Sequence, residues 1–584
     1  MKRLALHVVF MISLSGCSPA DQPTVGPNDD AVAGAADTVY TNGKIYTVNE
    51  VQPWVEAVAI KDGKFVAVGT NDDVASVTGA NTDVIDLDGK FVMPGFSDAH
   101  LHTPLAYVEE EAGNLLMDAL TADDVRNGLL AFAAANPGDG WIRAEKFRLG
   151  AFPGGKTDRQ FLDAIIPDRP VFLMDETGHN GVANSKALEL AGITKDTPQP
   201  EGGTFEIDPE SGEPTGYLSE TGIRAVGRVL VTPGVDVVKR ALLRGMAEVR
   251  SLGVTSFIDM FSFTNSVKAY REIDDDGNLT FRVSAAVALN DYTDFSDTVE
   301  GAAETLSRRS EYETDRLRVD SFKYWADGTP MSYTSLLVEP YAERDTLGSM
   351  TMTPAHLARA RELLDEGLVG RFHSITDGTA RVVLDMVEAY RKDHPESTQP
   401  IQIGHNGLVH PDDLGRYSEL NVIAEFSPAF WFPLPVNGVL PQYIGEERLG
   451  RWYAIAEMHR AGATVAIGSD WPAGTPTADP FRGLEGLVTR MDPWEQMEGQ
   501  AGEPVSLEVA IRMMTLNTVK LMQREDEFGS LEVGKLADFI ILDENPFGIE
   551  PARISNINVL QTIFDGKVVY DSSKDPGPTT RLDH

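Results

Sequence analysis

The strongest constraint on this chain is a rhythm. Through its middle, short apolar runs rich in β-branched residues alternate with stretches of helical period such as "DVVKRALLRGMAEVRSLG" (236–253) and "HLARARELLDEGLVG" (356–370). A strand followed by a helix returns the chain to the start of a parallel neighbour, so the repeat predicts a parallel sheet covered by helices. The strand runs are 91–98, 254–260, 281–289, 318–328, 368–376, 401–407, 421–428 and 464–470. Eight is the number that closes a (β/α)8 barrel, and an α/β, TIM-like barrel over 91–527 is the expected fold. A ninth run, "RPVFLMDETGHN" (169–180), is assigned to an insertion covering about 105–250.

Both flanks read differently. Residues 38–48, 56–69 and 83–95 are β-rich, and each contains a turn pair, Asn42-Gly43, Asp62-Gly63 or Asp88-Gly89. Segments 529–547 and 559–571 repeat the pattern, with Asp565-Gly566 in the second. Such pairs favour tight hairpins, and the two flanks, 37–90 and 528–575, are expected to join in one composite β-sandwich domain.

The first residues, "MKRLALHVVFMISLSGC", have a basic start and an apolar run too short to span a bilayer as a stable helix. Leu14-Ser15-Gly16-Cys17 resembles a bacterial lipobox, with 1–17 as signal peptide and Cys17 as the lipidated residue; a plain secretory signal with an incidental cysteine is the alternative. Residues 18–36, rich in Pro, Gly, Ala and Asp, read as a flexible tether. The expected location is the cell envelope of a bacterium, anchored by lipid and facing the periplasm. Cys17 is the sole cysteine, so a mature chain has no internal disulfide. With 50 Lys+Arg against 89 Asp+Glu, the net charge of −39 argues against nucleic-acid binding.

Residues with chemistry fall at strand ends, where barrels of this kind place their active sites. The first run leads into Asp98-Ala-His100-Leu-His102, and in an extended strand His100 and His102 share a side. The fourth carries Lys323 shortly before Asp327, the fifth ends near His373, the sixth at His405 and the eighth at Asp470. Neutral imidazoles and a carboxylate converging from different strands suit a divalent metal, with Zn2+ the leading ion.

At this point the residues carry a resemblance. "MPGFSDAHLH", "PVFLMDETGHNGVANSKALELAGI", "GEPTGYLSE", "FKYWADGT", "FHSITDGTARVVLDMVE", "IQIGHNGLVHPDD", "GATVAIGSDWP" and "GSLEVGKLADFIILDENPF" occur in this order. Together they resemble the amidohydrolase superfamily, in the branch holding N-substituted formamide deformylase-like and YtcJ-like proteins. The resemblance spans about 37–575 and implies a metal-dependent hydrolase of carbon–nitrogen bonds. It carries metal-ligand roles onto His100, His102, His373, His405 and Asp470. For Lys323 it implies a carboxylated side chain bridging two metals; an unmodified lysine paired with Asp327 or another acid, in a one-metal site, is the alternative. Relatives commonly have Glu-His where this chain has Gly404-His405, and "FHSITDG" departs from the usual strand-5 motif while keeping His373 and Asp377.

A metal-acidified water would give its proton to Asp470, which would pass it to the leaving nitrogen. His373 or His179 would stabilise the developing oxyanion, with His179 as a satisfied loop histidine the alternative. Trp325, Trp431 and Trp471, with Tyr324, Phe430 and Phe432 nearby, suit a small-molecule substrate bearing an apolar or aromatic group, or else pack barrel against helices. The competing functions are a deaminase or cyclic-amide hydrolase on the same scaffold, and a lipid-anchored binding protein without catalysis. The resemblance leaves a homodimer open.

Overall fold

The computed structural model describes residues 34–575 apart from 118, 153–155, 176–177, 201–202, 231, 290–298, 429–437, 474, 476 and 494–501. Cys17, Phe430, Trp431 and Phe432 lie outside the described residues.

Eight parallel strands form one sheet in sequential order: β1 (Phe96–Leu101), β2 (Val254–Ser262), β3 (Arg282–Ala288), β4 (Leu317–Trp325), β5 (Val369–Ser374), β6 (Ile401–His405), β7 (Val422–Phe426) and β8 (Val465–Ile467). The ring closes at its carboxyl end, where the Asp470 N–H donates to the His100 carbonyl (2.7 Å) and the His102 N–H to the Trp471 carbonyl (2.9 Å). Inside it, Ala99, Ile258, Met260, Ala286, Ile423 and Ala466 form a buried cluster plugged by Leu521 and Phe528. Outside, helix Val235–Ser251 shows why the 3.6 period was readable. Val238, Leu242, Met246 and Val249 recur at that spacing and are buried against the barrel, each stabilising by about 1.5–3 kcal/mol.

Two sequence expectations change at β1. The run 91–98 is two strands: Phe91–Pro94 pairs in a different sheet, and the barrel strand begins at Phe96. Gly95 is the hinge, since a Cβ there would stand 2.3 Å from Thr255 side-chain atoms. The insertion is also narrower than 105–250. Helices Thr103–Glu111 and Val235–Ser251 pack with the barrel core, while a six-stranded sheet built from segments between Leu115 and Glu220 forms the inserted lobe. The ninth run lies there, as strand Val171–Asp175.

A second six-stranded sheet takes Lys567–Asp571, Val559–Phe564 and Phe539–Leu542 from one chain end and Phe91–Pro94, Lys44–Tyr46 and Trp54–Val55 from the other. Beside it stands a four-stranded sheet from the N-terminal side alone. The turn pairs divide. Asp62-Gly63 and Asp565-Gly566 close hairpins, with Lys61 opposite Lys64 and Phe564 opposite Lys567. Asn42-Gly43 and Asp88-Gly89 instead carry the chain from one sheet to the other. The first residue of every pair has φ between 49° and 56°, and Gly63, Gly89 and Gly566 follow at 71–76° while Gly43 is not left-handed. Asp62-Gly63 and Asp88-Gly89 are therefore alike at both positions, and the two sheets decide which strands each joins.

Candidate active site

The barrel mouth gathers the predicted residues in contact. His100 and His102 ring centroids are 5.1 Å apart, His100 and His405 4.7 Å, and His405 and His373 4.5 Å. Asp470 Oδ1 lies 2.9 Å from His102 Nε2 and 3.3 Å from His100 Nε2, and its Oδ2 lies 3.9 Å from His405 Nδ1. All five are buried.

Simple strand alternation does not by itself aim these groups. In β1 a bulge intervenes, with Asp98 opposite Phe257 but Leu101 opposite Asp259, and His102 follows the strand's end. Bulges re-aim side chains in this way. His405 and Asp470 reach the cup through left-handed backbone, φ 68° and 59°, and Asn406 beside them has φ 47°. Such conformations cost about 1–3 kcal/mol each and are retained where surrounding structure holds them. Here Asp98 accepts the backbone N–H groups of His100 (2.9 Å) and Ser469 (3.0 Å), tying β1 to the Asp470 loop. Asn406 donates to the Ile403 (2.7 Å) and Glu425 (3.0 Å) carbonyls, tying β6 to β7.

The electrostatics suit neutral ligands. Burial holds His100 and His405 well below the usual imidazole range, and lowers His373 despite its bond to Asp327. Asp327 Oδ1 lies 2.8 Å from His373 Nδ1 and also takes the Ile375 N–H, so Asp327 serves His373 and not Lys323. Lys323 is fully buried, and among the described residues its Nζ has no hydrogen-bond partner. Burial pushes its amine down, against the pull of Glu425 and Asp470.

Two ligand atoms each roughly 2.1 Å from a tetrahedral zinc stand about 3.4 Å apart, and the 2.9–3.9 Å separations around Asp470 bracket that spacing. His100, His373 and His405, lowered by burial, and the buried Lys323 amine, without a hydrogen-bond partner among the described residues, complete a donor set that fits a divalent ion.

The other candidates scatter. Trp325 stands beside the cup, its ring 5.6 Å from Lys323 Nζ and 5.2 Å from Phe261. Trp471 does not line the mouth: it is buried, packed on Tyr107 and facing Gly245 of the outer helix, which makes it a packing residue. Tyr324 likewise faces the shell, against Phe322 and Phe372. Asp377 opens the helix after β5 and accepts the Val338 N–H at 3.1 Å. His179 arrives from the inserted lobe, its Nδ1 2.9 Å from Glu220 Oε2. Burial alone would lower this imidazole, but Glu220, helped by Asp175 and Asp327, carries it above the usual range.

Residue-type reading missed three carboxylates that hold this site: Asp98, Glu220 and Glu425. Glu425 left a readable signal, an acid inside the five-residue buried strand "VIAEF".

Fold and cup together define a metal-dependent hydrolase barrel. Residues 83–570 match the amidohydrolase family, and the chain belongs to that family. It is 27% identical to the N-substituted formamide deformylase of Arthrobacter pascens over 553 residues, 92% of this chain and 98% of that one. It is equally similar, 27%, to the putative amidohydrolase YtcJ of Bacillus subtilis (strain 168), covering 92% and 99%. Among solved structures, an uncharacterised metal-dependent hydrolase of Pyrococcus horikoshii OT3 superposes with a TM-score of 0.68 at 25% identity, covering 88% of this chain and 99% of that one. An adenosine deaminase of Xanthomonas campestris with bound zinc shares the fold at a TM-score of 0.53 and 14% identity, over 92% of this chain and 93% of its own. The chain is a metal-dependent amidohydrolase acting on carbon–nitrogen bonds.

Proposed function

We propose that this enzyme hydrolyses N-acyl or N-formyl compounds bearing an apolar or aromatic group, with Zn2+ held by His100, His102, His373, His405 and Asp470. The observation that carries this reading is the contact of Asp470 with imidazoles from β1 and β6, at spacings an ion could bridge. When bound, such an ion supplies Lewis acidity that polarises a carbonyl and acidifies water near neutral pH.

The chain's own groups do the rest. Asp470, fixed through its backbone N–H to His100, accepts the proton of the attacking water and returns it to the leaving nitrogen. Asp327 takes the Nδ1–H of His373, leaving the Nε2 lone pair free to ligate an ion, so the developing oxyanion falls to His179, whose value Glu220 raises. His179 enters from the inserted lobe, oriented by Glu220, and contacts the substrate. Trp325 supplies the apolar wall. Lys323, whose Nζ has no hydrogen-bond partner among the described residues and whose amine burial pushes down, would add to CO2 through Nζ with loss of a proton, and the resulting carbamate would supply a further oxygen ligand for metal.

The test is metal analysis with a substrate panel of N-formyl amines, N-acyl amino acids, cyclic amides and aryl amines, using Asp470→Asn as control. Turnover of N-acyl or N-formyl members should fall by about 10²–10⁴-fold in the variant. Turnover confined to aryl amines or cyclic amides would replace this substrate class with deamination or ring opening. A full metal complement with no turnover anywhere favours a binding protein.

We further propose that the chain is anchored by lipid at Cys17 in a bacterial envelope, on the strength of the basic, apolar and Leu-Ser-Gly-Cys pattern of residues 1–17. Among the described residues no helix is long and apolar enough to cross a membrane. Membrane fractionation of wild type against Cys17→Ser checks the anchor: a variant that stays in the membrane fraction removes it.

A further inference from the structure

The histidines of the cup are held from behind in different ways. His373 leans on Asp327, which follows its neighbouring strand β4. His100 leans across the barrel interior on Glu425 of β7, whose Oε2 lies 2.8 Å from His100 Nδ1. Glu425 is fully buried, its Oε1 accepts the Ser427 hydroxyl at 3.0 Å, and the His405 N–H approaches Oε2 at 3.4 Å.

A separate observation concerns the room this carboxylate occupies. β6, between β5 and β7, has Gly404 beside this carboxylate. A Cβ at 404 would stand 2.7 Å from Glu425 Oε2 and 3.6 Å from both Nδ1 and Cε1 of His100. Any side chain at 404 therefore displaces the carboxylate from the imidazole. Glu425 has no open direction in which to retreat, because its burial is complete and its second oxygen is engaged.

We propose that Glu425 is a positioning residue for the metal centre, accepting the Nδ1–H of His100 through space that Gly404 leaves open. A neutral imidazole carries one N–H. With that proton held at Nδ1, the lone pair stays on Nε2, the atom 3.3 Å from Asp470 Oδ1 and facing the cup. The carboxylate also brings negative charge into a fully buried place, which a bound divalent cation compensates. The assignment rests on the reading of the cup as a metal centre.

The test measures zinc affinity by chelator competition for wild type, Glu425→Gln, Gly404→Ala and the double variant, together with the visible spectrum of each cobalt-loaded protein and the melting temperature of each metal-free one. Glu425→Gln should bind zinc about 10–100-fold more weakly, with an altered cobalt spectrum and an unchanged metal-free melt. Gly404→Ala should weaken zinc although it leaves the carboxylate in the chain. The double variant should lose no more than the worse single change, because both act through one hydrogen bond. Wild-type affinity and spectrum in Glu425→Gln overturn the proposal while leaving the metal centre standing. If that variant does not fold, wild-type affinity in Gly404→Ala overturns it instead. A wild-type protein that takes up no zinc or cobalt removes the metal centre, and this assignment with it.

Discussion

The two ends of the barrel both bury charge, and they handle it in opposite ways. At the amino-terminal end Arg282 of β3 donates from Nε to Asp538 Oδ2 (2.7 Å) and also pairs with Asp565, which Arg316 engages at 2.9 Å. Cation meets anion in this cluster, and the pairing ties the barrel to the sheet that contains the C-terminal strands. At the carboxyl end, imidazole faces imidazole, Lys323 Nζ lacks a hydrogen bond among the described residues, and burial and the nearby Asp470 push the Glu425 carboxyl up against the pull of Lys323. The Arg282–Asp538–Asp565–Arg316 cluster has its charges balanced within the protein. The carboxyl end instead gathers imidazoles and carboxylates around a buried amine, and such a cluster of perturbed groups separates a binding mouth from a structural base.

The contrast predicts opposite outcomes for removing a buried cation. Arg282→Ala leaves Asp538 buried without its partner and should destabilise by about 3–5 kcal/mol, while zinc affinity stays at the wild-type value. Denaturant unfolding beside a chelator titration reads both. Loss of zinc affinity in a still-folded Arg282→Ala protein would show the two ends to be coupled.

Lys323→Met should do the reverse. In chelator-treated protein it removes an amine buried without a hydrogen bond and should stabilise by about 1–3 kcal/mol, while turnover of the metal-loaded enzyme collapses. A metal-free Lys323→Met protein less stable than wild type would mean that the amine supports the fold, as Arg282 does.

The smallest expected effect lies at the rim. His179 has its value raised by Glu220, so this pair stabilises fully below the unfolded imidazole value of about 6.5 and fades as pH rises through the raised one. Glu220→Gln should therefore cost about 1 kcal/mol or less, more at pH near 5.5 than near 9. Paired melts at the two values decide it, and a gap that widens toward high pH reverses the assigned sign.

The fold class and most of the cup were legible because each rests on local signals. Eight strand runs repeat with helices between them, and His100, His373 and His405 lie within or at the ends of their strands. Trp471 was misread for a physical reason: it follows Asp470 directly, and adjacency in sequence does not say which way an indole turns. Here it turns to Tyr107. Asp88-Gly89 and Asp62-Gly63 share a turn conformation, left-handed at both residues, yet only the latter closes a hairpin, since pairing depends on strands far away in the chain.

By itself the order of residues determined the alternation of strands and helices, the left-handed turns, and which strand ends would carry nitrogen and oxygen donors. These follow from backbone preferences and side-chain chemistry acting over a few residues. Only the tertiary structure decided that a bulge aims His100, that left-handed backbone at 405 and 470 completes the cup, and that Glu425 fits because residue 404 has no side chain. Those choices depend on contacts across the closed barrel, where excluded volume and buried charge act between residues hundreds of positions apart.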